Sequence, residues 1–175
     1  MISFSTRRLA LLALLVAAVP AAAGQLCRDG RPAPSGLVVR GDGSVVDTQR
    51  RLQWQRCVVG VSGPRCERGQ AERFPALQAL DFVTTYNRGG GQGGHRDWRL
   101  PTLAELRSLV AADCVNPATD LKLFPNAPQA QLWSRDVDGG VAAYVDFRDG
   151  YAARDDINLA NPIRLVRDLP APRRR

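Results

Sequence analysis

The stretch DWRLPTLAELRSL, residues 97–109, ends one kind of structure and begins another. Pro101 cannot sit inside a helix, and Thr102 followed three residues later by Glu105 is a capping box, so a helix starts at this point and no earlier. Leu103, Leu106, Leu109 and Val110 then recur at helical spacing as the stripe that faces the core. Upstream of the proline, Trp98 is a large apolar residue for that core. Arg99 carries a planar fork that matches the Glu105 carboxylate one helical turn into the next element. The predicted roles of Trp98, Arg99, Pro101 and Glu105 are therefore architectural.

Working outward, a first helix is expected from Pro75 to about Asn87. Leu77, Leu80 and Val83 recur every three residues there, with Ala76, Ala79 and Tyr86 beside them and Gly89 as a stop. Before it, Leu37 to Val39 and Val45 with Val46 flank the turn signal Gly41, Asp42 and Gly43, which predicts a hairpin. Leu52 and Trp54 alternate with Arg51, Gln53 and Gln55, the pattern of a half-buried strand. After the second helix, residues 113–130 hold three prolines and no periodicity, an ordered loop that Cys114 and Phe124 can pin. Short strands follow around Leu132 to Ser134, Ala142 to Phe147, Tyr151, and Ile163 to Val166. Strands, two helices, a long loop and more strands make an α+β domain rather than an alternating parallel one.

Residues 1–23 read as a secretory leader. Arg7 and Arg8 precede an apolar run from Leu9 to Val19, followed by Pro20 and three alanines that offer a cleavage site. The run is too short to cross a bilayer, so no transmembrane segment is expected after cleavage. Four cysteines remain in the mature chain, and an even number in an oxidising compartment predicts two disulfides. Three connectivities exist. The short, turn-rich segment between Cys57 and Cys66 favours that pair, which leaves Cys27 to Cys114. The expected location is periplasmic or extracellular.

The formal charge is +7, yet five of the basic residues lie at Arg7, Arg8 and Arg173 to Arg175, and without them the balance is +2. No basic stripe is interleaved with aromatics, so nucleic acid is not an expected partner. His95 is the lone histidine and has no nucleophile motif around it, which argues against a triad or a histidine zinc site. Gly89, Gly91 and Gly94 spell G-x-G-x-x-G but follow a helix instead of a strand, so they are read as a connector. Arg40, Gly41 and Asp42 form an adhesive tripeptide at the expected turn and are read as that turn. Asp136, Asp138, Asp146, Asp149, Asp155 and Asp156 crowd one region; calcium is one reading, and a surface neutralised by Arg135, Arg148 and Arg154 is the other and the preferred one. No cofactor, metal or catalytic constellation is expected.

DTQRRLQWQ (47–55), GGHRDWRLPTLAELRSL (93–109), Phe124 with Pro125, Trp133 with Ser134, and IRLVR (163–167) together resemble the Lcl C-terminal domain family, named after a collagen-like bacterial adhesin. The resemblance covers about residues 42–167, leaving the leader at 1–23, an N-terminal arm at 24–41 and a basic tail at 168–175. Cys57, Cys66 and Cys114 fall where members of that family often carry cysteine. RLPTLAEL and IRLVR are also distantly similar to formylglycine-generating and sulfatase-modifying domains, which implies a C-type-lectin-like fold: two helices, a twisted antiparallel sheet and a long loop region. The reactive thiols of those enzymes and the EPN or QPD triplets of calcium-dependent lectins have no counterpart here. The resemblance therefore implies a non-enzymatic, adhesin-like binding domain that holds an acidic or sulfated glycan or another surface polymer; Arg135, Arg148 and Arg154, with the arginine tail, are the candidate contacts because a guanidinium can bind sulfate or carboxylate through two parallel hydrogen bonds. A periplasmic or envelope module with a protein partner is the alternative, and a sulfatase-modifying type of enzyme is a remote third.

Overall fold

The computed structural model describes residues 24–28 and 36–171. The expected leader at residues 1–23, part of the arm at 29–35 and the terminal arginines lie outside the described residues.

The arm contributes β1 (Leu26–Cys27), and β2 (Leu37–Val39) opens the predicted hairpin with β3 (Ser44–Asp47). The turn between them consumes the Arg40–Gly41–Asp42 tripeptide. The Arg40 N–H donates to the Ser44 carbonyl at 2.8 Å, while Asp42 accepts from the Ser44 N–H at 3.0 Å and from Gln53 Nε2 at 3.2 Å. Gly43 closes the turn at φ +76°, a conformation that glycine adopts without cost. A second turn is built by Asp47, whose carboxylate takes the N–H groups of Gln49 and Arg50 and so leads into β4 (Leu52–Gln55).

Short pieces follow: β5 (Val61–Ser62) pairs with β6 (Arg68–Gly69), and β7 (Arg73–Phe74) runs into α1 (Ala76–Arg88). Next come α2 (Leu103–Arg107) and β8 (Cys114–Val115). The chain ends in β9 (Gln131–Asp138), β10 (Val141–Asp146), β11 (Ala152–Asp156), β12 (Asn161–Pro162) and β13 (Val166–Asp168). Among the described residues every strand pairing is antiparallel, in a four-stranded sheet ordered β13-β4-β3-β2, a three-stranded sheet ordered β11-β10-β9, and two-stranded ribbons. The architecture is α+β and mostly sheet.

Two cores lie on opposite faces of the β9–β11 sheet. The register places Leu132, Val145 and Ala152 side by side, and Trp133, Tyr144 and Ala153 in the next row. Because side chains alternate along a strand, the first row faces Trp54, Leu106, Phe124 and Val166, and the second faces Ala76, Ala79, Trp98 and Ile163. Trp54, Trp98 and Trp133 are all buried. The Trp133 indole N–H donates to the Phe74 carbonyl at 2.9 Å, whereas Trp54 Nε1 has no partner among the described residues. Trp133→Phe should therefore cost about 1 kcal/mol more than Trp54→Phe, since only the first breaks an indole hydrogen bond; urea unfolding of the two variants measures the difference.

The structure corrects the sequence reading at three places. In α1, Leu77 and Leu80 are 50% and 37% exposed, and the helix turns Ala76 and Ala79 inward. Small residues are needed there because Trp98 and Trp133 already fill the second core. In β4, Gln53 and Gln55 are buried together with Leu52 and Trp54. Both amides are satisfied: Gln53 accepts from Arg167 Nη1 at 2.6 Å and donates to Ser44 Oγ at 2.8 Å, and Gln55 donates to the Tyr86 hydroxyl at 2.8 Å. Within Ile163–Val166 only Val166 joins a strand, and Ile163 to Leu165 run as extended chain between the cores.

The long loop is held as expected. Phe124 and Cys114 are buried, the Ala118 N–H donates to the Phe147 carbonyl at 2.7 Å, and Thr119 Oγ1 donates to the Leu109 carbonyl at 2.9 Å. The arm is laced to this loop, with the Arg28 N–H on the Asp113 carbonyl at 2.8 Å and Gln25 Nε2 on the Pro117 carbonyl at 2.8 Å.

Candidate functional site

The capping box that decided the fold is present in both directions. Thr102 Oγ1 accepts from the Glu105 N–H at 3.1 Å, and the Glu105 carboxylate accepts from the Thr102 N–H at 2.8 Å. Arg99 grips the same carboxylate through both terminal nitrogens at 2.8 Å each, and its other edge meets Asp168 at 3.0 Å. Burial pushes the Glu105 carboxyl upward, but the Arg99 fork and the Thr102 N–H outweigh it and hold the group below its ordinary 4.5. A carboxylate depressed in the fold stabilises it above the unfolded value and loses that contribution as pH falls through the folded one. Glu105→Gln should cost about 2 kcal/mol at pH 7 and progressively less below about pH 4, as chemical unfolding across pH would show.

The start of α2 is also tied to the sheet. Between the Trp133–Tyr144 and Val137–Ala142 pairings the register of β9 shifts, and the bulged residues dock on the helix entry. The Arg135 N–H donates to the Pro101 carbonyl at 2.8 Å, and Asp136 accepts from the Leu103 N–H at 2.6 Å. Asp136, taken from sequence as part of an acidic surface, acts as a second cap for α2. Asp146 is likewise occupied. It is buried and accepts from the Arg148 backbone N–H at 2.9 Å and from Arg148 Nε at 3.0 Å. Burial raises its pKa, and the Arg148 contacts more than reverse that shift. Among the described residues no group of three or more histidine, cysteine or acidic side chains is placed to hold a metal.

The three candidate arginines are not gathered at one point. Arg148 lies on the turn after β10 and is committed to Asp146. Arg135 sits in the β9 bulge and Arg154 on β11 opposite Ala143, so these two flank β10 at the same level of the sheet. Both are exposed, and neither side chain has a hydrogen bond or ion pair among the described residues. His95 follows a 3-10 turn at Gln92–Gly94. The glycine connector is packed there, because a Cβ on Gly91 would lie 2.0 Å from the His95 carbonyl oxygen.

Both expected disulfides are formed, Cys27–Cys114 and Cys57–Cys66, and no cysteine is free among the described residues. The second closes a loop above a cavity of about 290 Å³, bounded on its other side by Tyr86 and Gln92. Sequence reasoning assigned Tyr86 to helix packing and placed no site there. The available signal was the polar residues Gln53, Gln55 and Arg56, set around Trp54 and leading straight into a short disulfide-closed loop.

The Lcl C-terminal domain model matches residues 43–167, from the start of β3 into β13. The chain belongs to the Lcl C-terminal domain family. No curated protein matches it. As an Lcl C-terminal domain, the chain joins a family fold to two disulfides, a combination that fits a disulfide-stabilised binding domain of adhesin type. No helix among the described residues is long and apolar enough to cross a membrane.

Proposed function

We propose that this Lcl C-terminal domain is an exported, non-enzymatic binding module with a C-type-lectin-like fold that holds an acidic or sulfated glycan. The observation that carries the reading is the pair Arg135 and Arg154, two exposed guanidinium groups without a carboxylate partner among the described residues, on either side of one strand. Edge strands separated by a central strand lie about 10 Å apart, a span that two long arginine side chains bridge toward neighbouring anionic groups on one chain of sugars. Two disulfides favour an oxidising compartment, periplasmic or extracellular.

Retention on heparin and on a sulfated-glycan array across a salt series tests the reading. The expected result is salt-sensitive retention that survives a chain ending at Pro172 and is weakened by the double variant Arg135→Ala, Arg154→Ala. Absence of retention, or its loss with the three terminal arginines alone, would overturn it.

A second reading rests on Leu77 and Leu80, which α1 presents three residues apart on its exposed face. That pair favours a protein partner in the envelope. Binding of such a partner would be insensitive to salt and lost in Leu77→Ser.

A further inference from the structure

The cavity beneath the Cys57–Cys66 loop is lined by donors. Gln55 Nε2 donates to the Tyr86 hydroxyl at 2.8 Å, and the amide orientation is set because Gln55 Oε1 accepts from the Leu165 N–H at 3.4 Å. The Tyr86 oxygen is therefore an acceptor toward Gln55, and its own proton has no acceptor among the described residues. Burial raises the phenol's pKa above its ordinary value, against the lowering pull of the Gln92 backbone and the Gln55 amide. The hydroxyl stays protonated and able to donate.

A second donor follows from peptide geometry. Arg164 Nη1 lies inside the protein and donates to the carbonyl of Arg56 and, at 2.8 Å, to that of Gln55. In a trans peptide the C=O and the following N–H point in opposite directions, so the Cys57 N–H points away from Arg164 and out of the core. It has no acceptor among the described residues. The preceding N–H, that of Arg56, leaves on the cavity side and donates to Gly43, another lining residue, at 3.3 Å.

Charge completes the picture. Among the described residues Arg56 is the one charged residue lining the cavity, and no carboxylate is in its lining. Its guanidinium rests on three carbonyls, those of Leu123 at 3.0 Å, Pro64 at 2.7 Å and Lys122 at 3.1 Å, and it forms no ion pair among the described residues. The loop itself is fixed by its disulfide and by Gly60 and Gly69. A Cβ on either glycine would lie 2.3 Å from a carbonyl oxygen.

We propose that this cavity is a binding site for a small carboxylate-bearing ligand of about the size of one sugar unit. Its carboxylate would accept from the Tyr86 hydroxyl and the Cys57 N–H in the field of Arg56. The choice of an acidic sugar as ligand rests on the glycan-binding reading above, but the site is separate from Arg135 and Arg154.

The test is an NMR titration of the exported, oxidised protein with D-glucuronate, and with D-glucose as the neutral counterpart. Glucuronate should shift the Cys57 and Val58 amides and bind roughly tenfold or more tightly than glucose. Tyr86→Phe, which keeps the ring and removes the donor, should weaken glucuronate by a similar factor. The double variant Arg135→Ala, Arg154→Ala should leave glucuronate binding unchanged. Failure of glucuronate to shift the Cys57 amide in the unaltered protein would overturn the proposal, whatever Tyr86→Phe does to folding; so would equal binding by a folded Tyr86→Phe. Heparin retention without glucuronate shifts would sink the cavity site alone, and glucuronate shifts without heparin retention would sink only the Arg135 and Arg154 reading.

Discussion

Arg164→Ala should destabilise the domain by about 3–5 kcal/mol, measured as the change in unfolding free energy in urea. Arg164 is buried to 3% exposure, its ring partner Phe124 lies 4.4 Å from the guanidinium carbon, and two main-chain carbonyls accept from it. Truncation removes the stacking surface, opens a cavity and strands both carbonyls away from water. The cation has no carboxylate partner among the described residues, and burial pushes its pKa down to about 9, so at neutral pH the fold carries a charged group at a desolvation cost. Arg164→Met keeps much of the bulk and removes that cost, and should lose about 2 kcal/mol less than the alanine variant. An alanine variant within about 1 kcal/mol of the native protein would show that Arg164 does not hold the two carbonyls in place.

Loss of Cys27–Cys114 is expected to be the other large effect. The bridge joins residues 87 apart, against 9 for Cys57–Cys66. In the chain-entropy model those closures are worth about 4.5 and about 2.5 kcal/mol, so the Cys27→Ala, Cys114→Ala pair should be the less stable of the two double variants. The longer bridge also fastens the arm, whose Gln25 and Arg28 bonds to the 113–119 segment would then have to form without a covalent tether. Comparable unfolding midpoints for the two double variants would show that the arm packs well enough on its own.

Both effects depend on features of unequal visibility in the sequence. The Cys57–Cys66 pair was legible because a short segment rich in glycine and proline closes with little entropy, and Cys27–Cys114 followed once three connectivities had been reduced to one. The capping box at Thr102 was legible for the same local reason: a hydroxyl and a carboxylate three residues apart satisfy each other's backbone donors wherever the helix lies. The buried state of Arg164 was not legible. In IRLVR an arginine between two aliphatics has the pattern of a strand with one wet face, and nothing local says that both faces are covered.

The sequence by itself determined the α+β class, the two disulfides, the hairpin at 37–47 and the start of α2, because each follows from interactions between residues close along the chain or from the covalent chemistry of cysteine. Only the tertiary structure decided which face of α1 is buried, that Gln53 and Gln55 lie inside, and that Arg164 and the donors around Tyr86 face opposite sides of the Gln55–Cys57 backbone. Periodicity states which residues share a face but not what stands opposite that face. With a second core behind the β9–β11 sheet, volume already filled by Trp98 and Trp133 sends Ala76 and Ala79 inward and leaves Leu77 and Leu80 in water.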